Sequence, residues 1–294
     1  MNTGVDCLPV SVIVATRNRA TLLAETLASI LEGDTMPAEI IVVDQSDAPF
    51  LECAGRSVRG CAIRHVGMDA RSLSRGRNFG ADVARHDLLV FTDDDMTADH
   101  GWLRALATAL IAAREPDAVT GRVLPGARER PDGFVPSVVR RSTPAVHSGP
   151  LAVDVLAGGN MAIRRSAFDR VGRFDVRLGP GSDFPAAEDN DLGFRLLGAG
   201  GHILFVPDAL LYHRAWRSAD VYVSMRHAYG RGQGAFYAKH LPRNTRLMWR
   251  RLARDVGLRL VYPPRPIRHL RDALGEVAYA AGVVRGVIGW RQTV

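Results

Sequence analysis

The sequence predicts an α/β protein built on a largely parallel sheet. Three observations carry that expectation: β-branched runs at residues 10–15 and 40–43, a helical apolar repeat after the first of them, and a third apolar run, LLVFT, that stops at Asp93, Asp94 and Asp95. Strands buried on both faces of a parallel sheet read as continuous apolar runs, not alternating ones.

Residues 10–15 (VSVIVA), bounded by Pro9 and the polar loop TRNR, form the first strand, and Leu22, Leu23, Leu27, Ile30 and Leu31 recur at helical spacing over residues 20–31. The second strand, residues 40–43, ends at Asp44 in IIVVDQSD. An acid at that tip either meets a ribose or base, as in nucleotide-binding α/β folds, or simply forms a turn. Residues 61–66 read as a short third strand, and SRGRNFGADVARH, residues 74–86, as a helix carrying Arg77 and Asn78. One turn places Arg77 within reach of a phosphate or of a carboxylate.

Three adjacent carboxylates repel one another, and burying them uncompensated costs several kcal/mol each. Asp93 to Asp95 therefore belong at the open end of the strand, either facing a cation or capping a solvated turn. Residues 102–114 continue as an amphipathic helix and 117–123 as a strand, after which periodicity disappears among the prolines, glycines and arginines of residues 124–150. A loop of that length is functional or mobile. Gly158 and Gly159 allow close backbone approach to a ligand, and a helix starts at Ser166, whose hydroxyl can cap it.

In FPAAEDNDLGFRLLGAG the helix carries Glu188, Asp189 and Asp191 in its first turn, where the dipole favours acids, so capping competes with catalysis as their role. Strands at 203–206 and 210–213 lead to His213. Helices follow at 220–241 and 243–260, then a break at Pro263, Pro264 and Pro266, then a last helix over 267–290. Residues 214–294 hold 16 Lys+Arg against 4 Asp+Glu, whereas the preceding 213 residues hold 22 against 27, so a +12 tail follows a −5 body. Such a tail suits anionic lipid or phosphorylated substrates, and its helices either lie on a membrane surface or pack back on the sheet.

At 294 residues and 47% apolar the chain can bury one large core. No apolar run approaches the roughly 18 to 20 residues of a membrane span. The start, MNTGVDCLP, lacks a basic and apolar leader, so a cytoplasmic protein, with Cys7, Cys53 and Cys61 as reduced thiols, is the expectation.

Taken in order, VSVIVATRNR, IIVVDQSD, SRGRNFGADVA, FTDDD, GGNMAIRRSAFDRVGRFD and EDNDLGFRLLGAG followed by LYH resemble the family 2 glycosyltransferases over residues 9 to 215. Within that family the sequence resembles bacterial members that build cell-surface polysaccharide or transfer rhamnose, galactofuranose or similar sugars. The resemblance implies a GT-A fold, a Rossmann-like mixed sheet flanked by helices, over residues 1–215, with a basic helical C-terminal extension over 216–294.

It also implies an inverting transfer from a nucleotide-sugar, with UDP commonest in the family and dTDP or GDP open, to a glycan or lipid-linked acceptor. Carried over by position, Thr16, Arg17, Asn18, Asp44, Arg77, Asn78, Asp93 and Asp94 would bind the nucleotide-sugar. Asp95, Asp93 and His213 would hold Mn²⁺ or Mg²⁺, which neutralises a diphosphate leaving group, and the imidazole favours Mn²⁺. Asp189 would be the general base and Glu188 would orient a substrate. Gly158, Gly159, Asn160 and Asp191 would face sugar or acceptor.

DQSD departs from the family's Asp-Asp-Gly-Ser at the second strand end and leaves Asp47 without an assigned role. A nucleotidyltransferase shares the layout but needs a glycine-rich loop after the first strand, where ATRNRA has no glycine. A non-catalytic carbohydrate-binding protein on the same fold would not need the full set of acids and His213. No nucleic-acid partner is expected. For the basic tail, contact with the anionic inner face of the plasma membrane and packing on the catalytic domain stand as alternatives.

Overall fold

The computed structural model describes residues 6–49, 55–112, 115–258, 261 and 270–292. Cys53 and the proline break at 263–266 lie outside the described residues, and Cys7 and Cys61 are free thiols.

In chain order the elements are β1 (Asp6–Thr16), α1 (Ala20–Leu31), β2 (Thr35–Asp44), β3 (Ser57–Val58), β4 (Cys61–Gly67), α2 (Leu73–Val83), β5 (Leu88–Asp93), β6 (Met96–Ala98), α3 (Trp102–Ile111) and β7 (Ala118–Pro125). β8 (Ala145–Ser148), β9 (Asn160–Arg164), α4 (Arg165–Val171), α5 (Glu188–Gly198) and β10 (His202–His213) complete the sheet and its helices. A 3₁₀ turn (Ala219–Val221) then leads into α6 (Tyr222–His240), α7 (Thr245–Ala253), a π-helical turn (Arg254–Leu258) and α8 (Leu270–Gln292).

The strands join in the order β3-β4-β2-β1-β5-β9-β7-β10-β6, with β8 also on β10. β4, β2, β1 and β5 are parallel neighbours, while β9 runs antiparallel between β5 and β7. The sheet is therefore mixed, as the resemblance implies. Alternation along β1 sends Val10, Val12 and Val14 into a core under α1 and α3, and Ile13 and Ala15 into a second core with residues of α2, α4 and α5. β1 is thus buried on both faces, and its one polar side chain within the run, Ser11, donates its hydroxyl to buried Glu39 at 2.7 Å.

Several expectations shift. The second strand starts at Thr35 instead of residue 40. The two strands expected at 203–213 are one, β10, irregular between Val206 and Leu210. Ser166 does not cap α4: Arg164 occupies the cap position and makes no side-chain cap bond. The residues after Gly159, which have no clean alternation, enter the sheet as β9 because Asn160 to Arg164 pair with β5 and Met161 to Ile163 also pair with β7.

The basic tail is helical and packs against itself. Gly230 and Gly234 on α6 face the Tyr279 and Val283 carbonyls of α8, and Gly282 and Gly286 on α8 face the His227 and Arg231 carbonyls of α6, all closer than a Cβ could stand. Backbones this near one another need glycine. Buried Arg226 adds a two-pronged bond to Glu276, at 2.9 and 3.0 Å. The α6–α8 pair and α7 share an apolar cluster containing Phe194 of α5, so the tail is seated on the α/β body.

Gly234→Ala should therefore lower unfolding free energy by about 1–3 kcal/mol. Gly198→Ala, with open space around the added Cβ, should leave it within about 1 kcal/mol of wild type, on the stable side. Urea denaturation of the two variants checks this.

Candidate active site

The carboxyl ends of β1, β2, β5 and β10 gather at one edge of the sheet, where the amino end of reversed β9 joins them. A cleft of about 650 Å³ opens there. Thr16 and Arg17 after β1, Asp93 to Asp95 at the tip of β5, Gly158 and Gly159 before β9, Glu188 and Asp189 at the start of α5, and His213 all line it, together with Arg77 from α2.

The acids are held apart by matched partners. Arg77, fully buried, donates to Asp93 Oδ1 at 2.6 Å and to Glu188 Oε1 at 3.3 Å. Arg19 Nη1 bridges Asp94 Oδ1 and Asp95 Oδ2, each at 2.9 Å, and the Thr16 hydroxyl donates to Asp94 Oδ2 at 2.7 Å. Asp189 accepts from the Gly158 N–H at 3.0 Å and from the Asn190 N–H at 2.8 Å. The paired glycines permit this crowding: a Cβ on Gly158 would stand 2.8 Å from Arg77 Nη1, and one on Gly159 would stand 2.5 Å from Asp93 Oδ2.

His213 Nδ1 lies 3.0 Å from the Pro136 carbonyl, which can only accept, so that nitrogen carries the hydrogen. Its Nε2 is then directed at Asp95 Oδ1, 3.3 Å away. An imidazole whose far nitrogen is fixed by a carbonyl is oriented as metal-binding histidines are. Among the described residues no group of three or more His, Cys, Asp or Glu side chains gathers into a metal cage. Asp95 and His213 make a two-donor set, which suits a divalent cation that takes its other oxygens from substrate phosphate and water.

Proton affinities follow these surroundings. Burial pushes Asp94 up to about 6 against the pull of Arg19. Burial acts the same way on Asp95, yet the His213 bond and charge hold it below the ordinary carboxylate range. His213 is raised because its bond to Asp95 outweighs burial. Burial first, then the Asp189 charge, lift Glu188 to about 7, and burial also raises Asp189 against its two N–H donors. A carboxylate raised toward neutrality is the kind a general base requires.

Five residues expected at the site stand off the cleft wall. Asn78 is spent on the Phe174 backbone, donating at 2.9 Å and accepting at 3.1 Å. Asn160 is fully buried, accepting from Trp102 Nε1 at 2.8 Å and donating to the Arg122 and Ala209 carbonyls. Asp191 is buried against His240, Lys239 and Arg195, each at 2.8 Å, so it ties α5 to α6 instead of facing an acceptor. Asp44 pairs with His65 at 2.9 Å under the strand tip. Asn18, in a left-handed turn, exchanges hydrogen bonds with Asp47.

Other lining residues had no signal of their own in the sequence. Arg19 belongs to the TRNR loop, where nothing distinguishes it from Arg17. Tyr229 and Gln233, one turn apart on α6, and Tyr279 on α8 line the cleft from the tail. Gln233 accepts from Asn190 Nδ2 at 2.8 Å and donates to Asp154 at 3.1 Å, joining the tail to the residue after Asp189.

A mixed sheet whose acid-bearing strand ends open onto one cleft is the architecture of the GT-A glycosyltransferases. The mannosyltransferase PcManGT from Pyrobaculum calidifontis, solved with GDP-Man and Mn²⁺, superposes with a TM-score of 0.62 over 97% of this chain and 87% of its own, at 16% identity. Residues 11–172 match the model of glycosyl transferase family 2, and the chain belongs to that family. A pre-mycofactocin glycosyltransferase of Mycobacterium tuberculosis is 28% identical over 240 residues, 79% of this chain and 48% of the relative. A glucosyl-dolichyl phosphate glucuronosyltransferase of Haloferax volcanii is 27% identical over 184 residues, 60% of this chain and 59% of the relative. The chain thus spans about half the length of the first of these relatives.

Asp191 offers a test of the division between wall and support. Its cationic neighbours hold it well below the ordinary range despite burial. Its stabilising contribution is thus complete above its unfolded value and is lost as pH falls below about 4. Asp191→Asn should cost roughly 3 kcal/mol near neutrality by leaving half-buried Arg195 and Lys239 without their carboxylate. The gap from wild type should narrow as urea denaturation is repeated toward pH 2.5.

Proposed function

We propose that the cleft is the active site of a metal-dependent, inverting glycosyltransferase. The donor is a nucleotide-sugar and the acceptor a hydroxyl of a glycan or lipid-linked glycan. The observation that carries this reading is the placement of a half-buried carboxylate, Asp189, fixed by the Gly158 and Asn190 N–H groups, in the same cleft as the Asp95–His213 pair and the Asp93–Arg77–Glu188 cluster. A base and an anion-leaving end within one cavity suit a single displacement.

In this reading Thr16 and Arg17 border the nucleotide, and Asp95, Asp93 and His213 would hold Mn²⁺ or Mg²⁺. A divalent cation there supplies Lewis-acid neutralisation of the leaving diphosphate. Asp189 takes the proton of the acceptor hydroxyl as its oxygen attacks the anomeric carbon on the face opposite the diphosphate. Glu188, fixed by Arg77, orients the sugar. No second carboxylate acts as a covalent nucleophile, so the two-step retaining scheme is not required. The Mn²⁺ and GDP-Man bound by the Pyrobaculum mannosyltransferase and the dolichyl phosphate sugar named for the Haloferax relative support the metal, donor and acceptor classes. The division near residue 215 separates tasks: the first part supplies metal, donor and base, and the tail supplies an acceptor wall through Tyr229, Gln233 and Tyr279.

Asp189→Asn keeps the shape of the side chain and removes its basicity. Transfer should fall by about 10²–10⁴-fold, while the affinity for the donor nucleotide with Mn²⁺, read by calorimetry, stays near wild type. Full transfer activity in this variant would remove Asp189 from the role of base.

A further inference from the structure

Five of the eleven exposed large hydrophobic side chains among the described residues lie on one helix, α8: Leu270, Leu274, Val277, Val284 and Ile288, with exposures from 45% to 76%. With exposed Ala281 they recur at alternating steps of four and three. At 3.6 residues per turn they fall within about 40° of a single line. The opposite face, Gly275, Tyr279, Gly282, Val283, Gly286 and Trp290, is buried. This stripe is therefore additional to the surface that holds α8 in the fold.

The charges beside the stripe are of one sign. Arg285 and Arg291 flank it on either side and are exposed. The two acids of α8, Asp272 and Glu276, lie on the inner half of the helix, where buried Glu276 is bonded to Arg226. Pairing two copies of α8 along the stripe would set Arg271 and Arg285 against alanines, valines or arginines, with no carboxylate to meet them. An apolar line edged by arginines, on a segment of net charge +12, complements an anionic bilayer. No described helix is long and apolar enough to cross a membrane.

We infer that the outer face of α8 is a membrane-docking surface that lies in the headgroup region of a bilayer containing acidic phospholipid. Leu270, Leu274, Val277, Val284 and Ile288 enter the acyl boundary, and Arg285 and Arg291 pair with headgroup phosphates. The inference does not depend on the reading of the cleft.

The test is sedimentation of the full chain with phosphatidylglycerol–phosphatidylcholine vesicles and with phosphatidylcholine vesicles alone, at low and high salt. Wild type should bind the acidic vesicles and release as salt rises. Val277→Asp/Val284→Asp and, separately, Arg285→Glu/Arg291→Glu should each weaken binding by about tenfold or more. Their melting temperatures should be unchanged, since these side chains are exposed. Absence of binding to acidic vesicles, or binding indifferent to both variants, would overturn the inference. So would a concentration-dependent dimer in light scattering that Val277→Asp/Val284→Asp dissolves, which would assign the stripe to a second copy of the chain.

Discussion

Arg77 is fully buried and charged, and the cost of that burial dictates how the cleft is assembled. A desolvated guanidinium left alone is penalised by several kcal/mol. Here it is met by Asp93 at 2.6 Å and Glu188 at 3.3 Å, with the Phe174 ring 5.4 Å from its charge. Those partners come from the tip of β5 and the start of α5, so one side chain of α2 ties the strand that follows it to a helix that starts more than a hundred residues later. Its own position is set by α2 lying close on the sheet, where Gly80 leaves no room for a Cβ against Ile13. The crossing of α2 over β1 thus decides where the acids of the cleft stand.

The remaining charges extend the same logic outward. Arg19 bridges Asp94 and Asp95 from the loop after β1, and His213 meets Asp95 from β10. Behind the wall, Asp191 gathers Arg195, Lys239 and the His240 ring and fastens α5 to α6. Arg251 reaches from α7 to Asp154, which Gln233 also holds. The tail therefore supports α5 from behind and lines the cleft in front, while its outermost helix keeps an apolar stripe turned away from both.

The strands and helices of the first half were legible because each is long, apolar and periodic. β1 and β5 read as buried runs, and the carboxylates at the tip of β5 had to be at an open edge. β9 was not legible, because pairing with strands on either side, not propensity, makes residues 160–164 extended. Thr16, Arg17, Arg77, Gly158, Gly159, Glu188, Asp189 and His213, whose roles the family resemblance implied, all line the cleft. Asn78, Asn160 and Asp191 show the limit of that reasoning. A polar residue next to a functional one in sequence points, on a helix or strand, to a different side of the element. Tyr229, Gln233 and Tyr279 were hidden for the opposite reason: helices packed through glycine give no amphipathic signature that tells the cleft side from the core side.

The most direct measurement of the central claim is a mutant cycle on the buried cluster, read by urea denaturation. Arg77→Met should cost roughly 3–5 kcal/mol by leaving Asp93 and Glu188 without their cation. Adding Asp93→Asn and Glu188→Gln should recover a large part of that loss, because the uncompensated charges are gone. Costs that simply add, with the triple variant less stable than Arg77→Met by the full price of both carboxylate changes, would contradict the claim that this ion cluster organises the site.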